Sequence, residues 1–312
     1  MKKITVSSND QLSAVLRSVE PDTQIFLKKG VYRQKIEITV PNIELIGENA
    51  EETVIVYGDY AKKLDEQGRE YNTFRTYTAA VLAENVRFRS LTIENDAKFP
   101  EKKGQEVALT VYADGFRAED CRLISTQDTL FCGPLPPDLI ERYDGFLKDE
   151  LRKPCFTRQV YKNCLIAGTV DFIFGCGDAL FEECELRSLY EVRGHGYVAA
   201  PAHAETQDIG FVFSRCRFTG ENKTADGSVF LARPWRDYGK ASFIDCSYGS
   251  HIASEGFDKW NDTERDKTAR FSEYGNIPEG RVPWSKILSE NENKKLTEYF
   301  FKNKTRSISE FR

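Results

Sequence analysis

The chain has 312 residues, 40% of them hydrophobic, and a formal net charge of −5. This length suits one large domain or two small ones, and the acidic balance argues against nucleic acid as a partner. No apolar run approaches the ~20 residues that span a bilayer, so no membrane partner is expected. The start of the chain lacks the apolar core and the cleavage site of a signal peptide. It therefore predicts a cytoplasmic chain or, alternatively, a secreted mature chain whose signal has been removed.

The first part of the chain reads as a short strand, a helix and then a series of short strands. Residues 8–16 carry capping side chains followed by apolar residues at helical spacing. They predict a helix that covers the open end of the structure. Polar segments at residues 57–72 and 96–104 predict loops. Alternating runs between Gly, Pro and Asn predict β-strands at residues 24–27, 30–32, 36–40, 43–46, 54–56, 79–82, 86–88 and 91–93.

A cysteine-centred sequence motif recurs along the chain and predicts an all-β solenoid in which each repeat is one coil. The motif has an apolar residue, two mostly polar residues, a cysteine, one further residue and another apolar residue. We expect its cysteines to form a buried, reduced ladder of small apolar side chains inside the solenoid, with Cys132, Cys155 and Cys176 outside it. The cysteine ladder consists of Cys121, Cys164, Cys184, Cys216 and Cys246.

The longest interruption of the repeat, residues 132–158, is rich in proline and charge and predicts a loop beside the site described next. Such a loop could close one end of a groove, which would favour short substrates over long polymers. After residue 245 the repeat fades. Residues 251–284 predict a tail packed along the solenoid, and residues 285–302 predict a helix. Its apolar set is Ile287, Leu288, Leu296, Tyr299 and Phe300.

Two aspartates occupy the same position in successive repeats. Asp128 and Asp171 each lie seven residues after a ladder cysteine. If the coils stack in register, neighbouring strands are roughly 4.8 Å apart, so the two carboxylates meet and their pKa values are driven apart. An isolated aspartate is usually a turn or capping residue. Asp171, however, lies in the apolar run GTVDFIFG, where a lone charge is disfavoured, so it needs either a partner or a chemical role.

Four blocks, GQEVAL, QDTL, GTVDFIFG and LARPW, occur in this order and resemble the signature blocks of the pectin methylesterases (pectinesterases, carbohydrate esterase family 8). The resemblance covers nearly the whole chain. It implies a right-handed parallel β-helix, with residues 1–312 as a single domain. The implied activity is hydrolysis of galacturonate methyl esters in pectin (methylated homogalacturonan) or methylated oligogalacturonides, with release of methanol. It implies neither a cofactor nor a metal, and we expect a monomer.

The resemblance also implies the catalytic roles. Asp171 would be the nucleophile that attacks the ester carbonyl. Asp128 would protonate the departing methanol and then activate water. Gln105 and Gln127 would donate hydrogen bonds to the oxyanion, which would polarise the carbonyl without a metal. Arg233 would hold Asp171 ionised and oriented.

The remaining expectations concern the substrate and two departures from the family pattern. Thr73, Phe174 and Trp235 would contact the sugar chain. Gln34 stands where the family usually has Glu, two residues after the tyrosine of its first block, and this change should not touch the chemistry. Phe131 stands where many relatives have Tyr, which would remove one hydrogen bond near the cleft.

Three alternatives stay open at the level of the sequence. Paired carboxylates also suit a retaining glycosidase, whereas a lyase would need calcium ligands and a base, for which only Arg233 is a candidate. A carbohydrate-binding solenoid without catalysis would not require both aspartates, both glutamines and the arginine together. An esterase or thioesterase with another substrate would share the same blocks. A serine esterase is disfavoured because the chain has no GxSxG, and its three histidines read as structural.

Overall fold

The computed structural model describes residues 2–97, 104–143, 147–152 and 157–301. These residues wind into three parallel β-sheets, here called sheets A, B and C, and each complete coil contributes one strand to each sheet in that order. The fold is the right-handed parallel β-helix that the resemblance implied. Across the described ranges, none of the helices has the length and apolar character needed to cross a bilayer.

In the described residues, the strands of sheet A are Lys2–Val6, Thr23–Leu27, Ile43–Gly47, Arg87–Arg89, Phe116–Glu119, Arg158–Lys162, Asp178–Glu182, Phe211–Ser214, Lys240–Ile244, Arg270–Tyr274 and Lys286–Ile287. Those of sheet B are Gly30–Arg33, Thr53–Tyr57, Thr92–Asn95, Arg122–Ile124, Leu165–Gly168, Glu185–Ser188, Arg217–Gly220 and Ser247–Tyr248. Those of sheet C are Ile36–Ile38, Ala79–Val81, Leu109–Val111, Leu130–Cys132, Val170–Gly175, Gly196–Pro201 and Val229–Ala232. The α-helices are Leu12–Ser18, Pro137–Arg142 and Glu290–Tyr299, and the 3₁₀ turns are Thr73–Arg75, Asp149–Arg152 and Arg265–Lys267.

The cysteine ladder marks the turn from sheet A into sheet B. In each coil of the ladder, the residue before the cysteine is in the left-handed region, with φ between 50° and 56°. Asp and Asn tolerate this conformation best, and they hold the position before Cys121, Cys164 and Cys246. Every ladder cysteine is buried and unpaired, which confirms the predicted buried ladder. Cys132 and Cys176 are also buried, and Cys155 lies outside the described residues.

The first apolar residue of the repeat forms a second ladder inside the coil. Tyr161, Phe181, Phe213 and Phe243 pair with one another in register on sheet A. Their rings stack at centroid distances of 4.9, 4.7 and 4.7 Å. This spacing equals the separation of neighbouring strands, so the aromatic stack holds successive coils in register.

The N-terminal helix covers the open end of the solenoid, as predicted, but its cap differs from the sequence expectation. Its N-cap is Gln11, which makes no side-chain capping bond. The side chain of Gln34 replaces it: Gln34 Oε1 accepts a hydrogen bond from the Ser13 N–H at 3.1 Å, and Gln34 Nε2 donates to the Asp10 carbonyl at 2.9 Å. The departure at Gln34 therefore serves the end of the solenoid.

The tail packs along the solenoid as predicted, and it adds two strands to sheet A. The helix predicted over residues 285–302 was wrong at its start, because Lys286–Ile287 is an edge strand and Ile287 is 73% exposed. The helix begins only after Ser289, which forms a capping box with Glu292, and it ends at Tyr299. A strand of two residues leaves no alternation that a sequence pattern could reveal.

The insertion at residues 132–158 is more ordered than the predicted loop. It contains the helix Pro137–Arg142 and the 3₁₀ turn Asp149–Arg152, while residues 144–146 and 153–156 lie outside the described parts. Leu139, Leu147 and Leu151 are buried in a second apolar core outside the coil. Of the loop predicted at residues 96–104, only 96, 97 and 104 are described, and residues 58–72 contain no named strand or helix.

Candidate active site

Asp128 and Asp171 lie side by side where two neighbouring coils enter sheet C. Leu130 pairs with Ile173, and the Asp128 N–H donates to the Val170 carbonyl at 3.1 Å, which places Asp128 beside Asp171. The register shifts between Val170 and Ile173, so the strand bulges at Asp171. Both aspartates are in the left-handed region, with φ of 66° and 50°. Aspartate tolerates this conformation, which the residue before each ladder cysteine also adopts, and both aspartates line the cleft described below.

Arg233 follows the sheet C strand Val229–Ala232 and forms a bidentate ion pair with Asp171. Its Nε lies 2.8 Å from Oδ1 and its Nη2 lies 2.6 Å from Oδ2. The guanidinium carbon lies 3.8 Å from the ring centre of Tyr197 and 4.1 Å from that of Trp260. The side chains of Arg233 and Asp171 are only 13% and 10% exposed. Two hydrogen bonds and two rings therefore fix the cation in one orientation.

The two carboxyls differ in their affinity for a proton. Burial raises the pKa of Asp128 well above its ordinary range, and the charge of Asp171 raises it further. Burial also raises the pKa of Asp171, but the hydrogen bonds and charge of Arg233 oppose that rise. Asp128 is therefore the better proton holder of the pair, and Asp171 is the better carboxylate. This division suits one acid and one nucleophile.

Gln127 lies on the same coil as Asp128, and Gln105 lies on the preceding coil. Gln105 lies in the segment before the sheet C strand Leu109–Val111. The Glu106 N–H donates to the Gln127 carbonyl at 3.0 Å, which joins the two segments. The side-chain oxygen of Gln127 accepts from Arg193 Nη2 at 3.3 Å. Because the side-chain oxygen of Gln127 faces Arg193, its NH₂ group points away from Arg193.

Every side chain that the sequence predicts for the site lines one cleft of about 230 Å³. Phe174 meets Trp235 edge to face at 5.7 Å and Phe131 at 5.0 Å, and Phe131 itself is fully buried. The cleft is lined by Thr73, Phe74, Gln105, Gln127, Asp128, Tyr143, Asp171, Phe174, Ala200, Arg233, Trp235 and Trp260.

Sequence reasoning missed several residues that line the cleft or contact its side chains. Tyr143 comes from the insertion and packs on Phe74 at 5.3 Å. Trp260 comes from the tail, and Tyr197 and Arg193 come from the coil after Asp171. None of them belongs to the repeat, and each reaches the site only through the tertiary fold. An aromatic residue in a polar segment, such as Trp260 in Asp258–Asp262, was the one available signal.

A larger cavity of about 640 Å³ lies on the turns from sheet C into sheet A, beneath the insertion. The described residues that line it include Pro134, Cys176, His203 and Tyr238, and neither aspartate is among them. The smaller cleft is therefore the better candidate for chemistry, because it alone holds the paired carboxyls and the arginine. Within the described ranges, no group of three or more His, Cys, Asp or Glu side chains could hold a metal ion.

The sequence model of the Pectinesterase family matches residues 4–134 and 148–306. The chain belongs to the pectinesterase family. It is 31% identical over 283 residues to "Pectinesterase QRT1" of Arabidopsis thaliana, covering 87% of this chain and 67% of that protein. It is 30% identical over 282 residues to "Pectinesterase 31" of the same plant, covering 86% and 80%. As a pectinesterase, the chain is a carboxylic ester hydrolase.

Solved structures of pectin methylesterases share the fold. The chain superposes with a TM-score of 0.81 on a pectin methylesterase in complex with a hexasaccharide, at 25% identity and with 99% of each chain covered. It superposes with a TM-score of 0.79 on the pectin methylesterase of Yersinia enterocolitica, at 27% identity, covering 96% of this chain and 100% of the other.

Proposed function

We propose that this pectinesterase hydrolyses galacturonate methyl esters in pectin or methylated oligogalacturonides and releases methanol. The observation that carries the proposal is the buried ion pair of Asp171 and Arg233 beside Asp128, which holds the proton more tightly. One charged and one protonated carboxyl in a narrow cleft are what an aspartate nucleophile with a separate acid requires.

In the first half-reaction, a carboxylate oxygen of Asp171 attacks the ester carbonyl carbon. The carbonyl oxygen becomes an oxyanion, which accepts hydrogen bonds from the amides of Gln105 and Gln127. When the intermediate collapses, the bond to the methoxy oxygen breaks, and Asp128 gives its proton to the departing methanol. An anhydride between Asp171 and the galacturonate carboxyl remains, and Asp128 is now a carboxylate.

In the second half-reaction, Asp128 accepts a proton from a water molecule, and the water oxygen attacks the galacturonyl carbon. The same amides stabilise the second oxyanion. The anhydride bond then breaks, which returns Asp171 as a carboxylate and Asp128 as an acid and leaves the galacturonyl unit of the sugar chain with a free carboxyl group. Arg233 stays paired with Asp171 throughout, and its charge makes the aspartate a better leaving group.

The proposed sugar contacts are Thr73, Phe174 and Trp235. Phe174 and Trp235 meet edge to face in the cleft that holds both aspartates, and Thr73 opens the 3₁₀ turn Thr73–Arg75 in the same cleft. Aromatic faces of this kind suit the apolar faces of a sugar ring. The related pectin methylesterase bound to a hexasaccharide makes an oligogalacturonide a reasonable first substrate to test.

We extend the proposal to the whole chain: residues 1–312 form one domain that acts as a monomer. Its support is sheet A, whose described strands run from Lys2–Val6 to Lys286–Ile287. Calorimetry and size-exclusion chromatography test it. One unfolding transition and a monomer mass are expected, and two separable transitions or a stable dimer would contradict it.

The deciding assay incubates the protein with methylated pectin and with methylated oligogalacturonides, and measures methanol, new reducing ends and unsaturated ends. Methanol alone is expected, and exhaustive chelation should not reduce its rate, because amides polarise the carbonyl. Asp171→Asn should abolish turnover while the melting temperature shows an intact fold. Reducing ends would instead indicate a glycosidase, unsaturated ends a lyase, and activity restored only by added calcium or zinc would refute the metal-free mechanism.

A further inference from the structure

Arg193 contacts one of the proposed oxyanion donors. It lies between the sheet B strand Glu185–Ser188 and the sheet C strand Gly196–Pro201. Its Nη2 donates to the side-chain oxygen of Gln127 at 3.3 Å. Arginine has only donors, so the oxygen of the Gln127 amide must face it, and the NH₂ group must point the other way. That direction is towards the carboxyl of Asp128, with which Gln127 is also hydrogen-bonded.

Arg193 is itself held in place. Its Nε lies 2.7 Å from Glu191 Oε1, its Nη2 lies 3.1 Å from Glu191 Oε2, and its backbone N–H donates to the same carboxylate at 3.0 Å. Glu191 is only 12% exposed in its side chain, and the hydroxyl of Thr169 also donates to it. Thr169 lies two residues before Asp171 in the chain. A continuous series of contacts therefore joins the strand of the nucleophile to the amide of Gln127.

We propose that Arg193 is a positioning residue for the esterase reaction: supported by Glu191, it fixes the Gln127 amide so that one N–H meets Asp128 and the other faces the oxyanion. The inference rests on the proposed function and deepens it. It assigns no contact between Arg193 and the reacting atoms. Its effect on the reaction passes through Gln127 and through the positive charge that it keeps beside the two aspartates.

The positive charge of Arg193 predicts a shift of the pH–rate profile, which a residue that only stabilised its loop would not cause. Asp128 faces the charges of Asp171, Arg233 and Arg193, and Asp171 faces those of Arg233, Arg193 and Asp258. Arg193 lowers the pKa of both aspartates, so its removal raises both. Activity requires Asp171 ionised and Asp128 protonated. Both limbs of the pH–rate profile should therefore move to higher pH when the charge is lost.

The test compares Arg193→Met, Arg193→Lys and a matched control on a methylated oligogalacturonide. The chain offers a close control in Arg187, which pairs with Glu185 at the same two-residue spacing, with Nε 2.9 Å and Nη2 2.7 Å from its Oε1. Arg187 belongs to the sheet B strand Glu185–Ser188 and is 40% exposed in its side chain, compared with 57% for Arg193, so the two arginines differ mainly in the contact of Arg193 with Gln127. Arg187→Met should keep the kcat, the KM and both limbs of the parent.

Arg193→Met should lower kcat by about 10- to 100-fold with KM changed by less than about 3-fold, since misaligning an oxyanion donor costs less than the ~10²–10³-fold of removing it. Both limbs should move to higher pH. Arg193→Lys should restore the limbs and only part of kcat, because a lysine keeps the charge but not the fork. A rise in KM with unchanged kcat and limbs would make Arg193 a substrate contact and overturn the proposal. So would equal losses in Arg187→Met. If the parent enzyme itself releases no methanol, the proposed function is refuted. This outcome is distinct from one in which the parent is active and the Arg193 variants behave like the control.

Discussion

Replacing Arg233 with alanine tests whether Asp171 is the charged aspartate and Asp128 the protonated one. The variant removes two hydrogen bonds of 2.8 and 2.6 Å and leaves Asp171 buried without its cation. Removing one partner of a buried pair typically costs about 3–5 kcal/mol when the remaining group stays charged. Asp171 can escape this cost by taking up a proton, so we expect its pKa to rise further in the variant.

The sign of the pH dependence follows from that rise. A carboxyl whose pKa is raised by folding stabilises the protein below its unfolded pKa and loses that stabilisation as pH rises through the folded pKa. The stability penalty of Arg233→Ala should therefore be small in acid and grow towards neutral pH, up to the about 3–5 kcal/mol of an unpaired buried charge. The acid limb of the pH–rate profile, which reports ionisation of Asp171, should move to higher pH.

The assay is urea unfolding and turnover of the parent and of Arg233→Ala across the same pH series. Arg217→Ala is the control for stability, because its pair with Glu185 is 65% exposed on the arginine side and should contribute less than about 1 kcal/mol at every pH. An acid limb that stays in place while the rate falls uniformly would refute the reasoning. Arg233 would then only position substrate, and the assignment of Asp171 as the charged aspartate would lose its support.

Three further predictions concern other parts of the molecule. Asp128→Asn should lower turnover by about 10²–10⁴-fold, since neither methanol departure nor water attack is assisted. Because the folded pKa of Asp128 is raised, the same variant should melt higher than the parent at neutral pH, and this gain should shrink in acid; a lower melting temperature at every pH would contradict the reading. The cysteine ladder should resist thiol reagents in the native protein and react once it is denatured, and disulfides in non-reducing mass analysis would disprove the ladder. Tyr143→Ala should open the cleft wall formed by the insertion and raise the rate on polymer relative to oligomers, and an unchanged ratio would remove the insertion from the argument.

The sequence predicts the repeated coils of the fold well and the segments outside the repeat poorly. The cysteine-centred motif predicts the coils because its buried thiols and aromatic rings recur at fixed positions. Stacking of the coils in register then places Asp128 beside Asp171. The helix Pro137–Arg142 was missed although proline at its first turn and an aspartate after it are start signals, because the segment is too short for helical spacing to show.

Contacts between distant segments were also beyond the sequence. Trp260 and Tyr197 enclose the guanidinium of Arg233 from two different parts of the chain, and the only local signal is that Trp260 is an aromatic residue in a polar segment. No role was predicted from the sequence for Glu191 or Arg193, and only the fold brings Arg193 to Gln127. Only the fold reveals such contacts, because 27 residues of chain separate Arg233 from Trp260 and 66 separate Gln127 from Arg193.

The most direct test of the account is to find the covalent intermediate on Asp171. The enzyme is mixed with a methylated oligogalacturonide, quenched rapidly in acid during the first turnover, digested and mapped by mass spectrometry. The account predicts a galacturonyl adduct on the peptide that contains Asp171, and no adduct in Asp171→Asn. An adduct on another peptide, or methanol released in the first turnover with no galacturonyl group bound to the enzyme, would contradict Asp171 as the nucleophile.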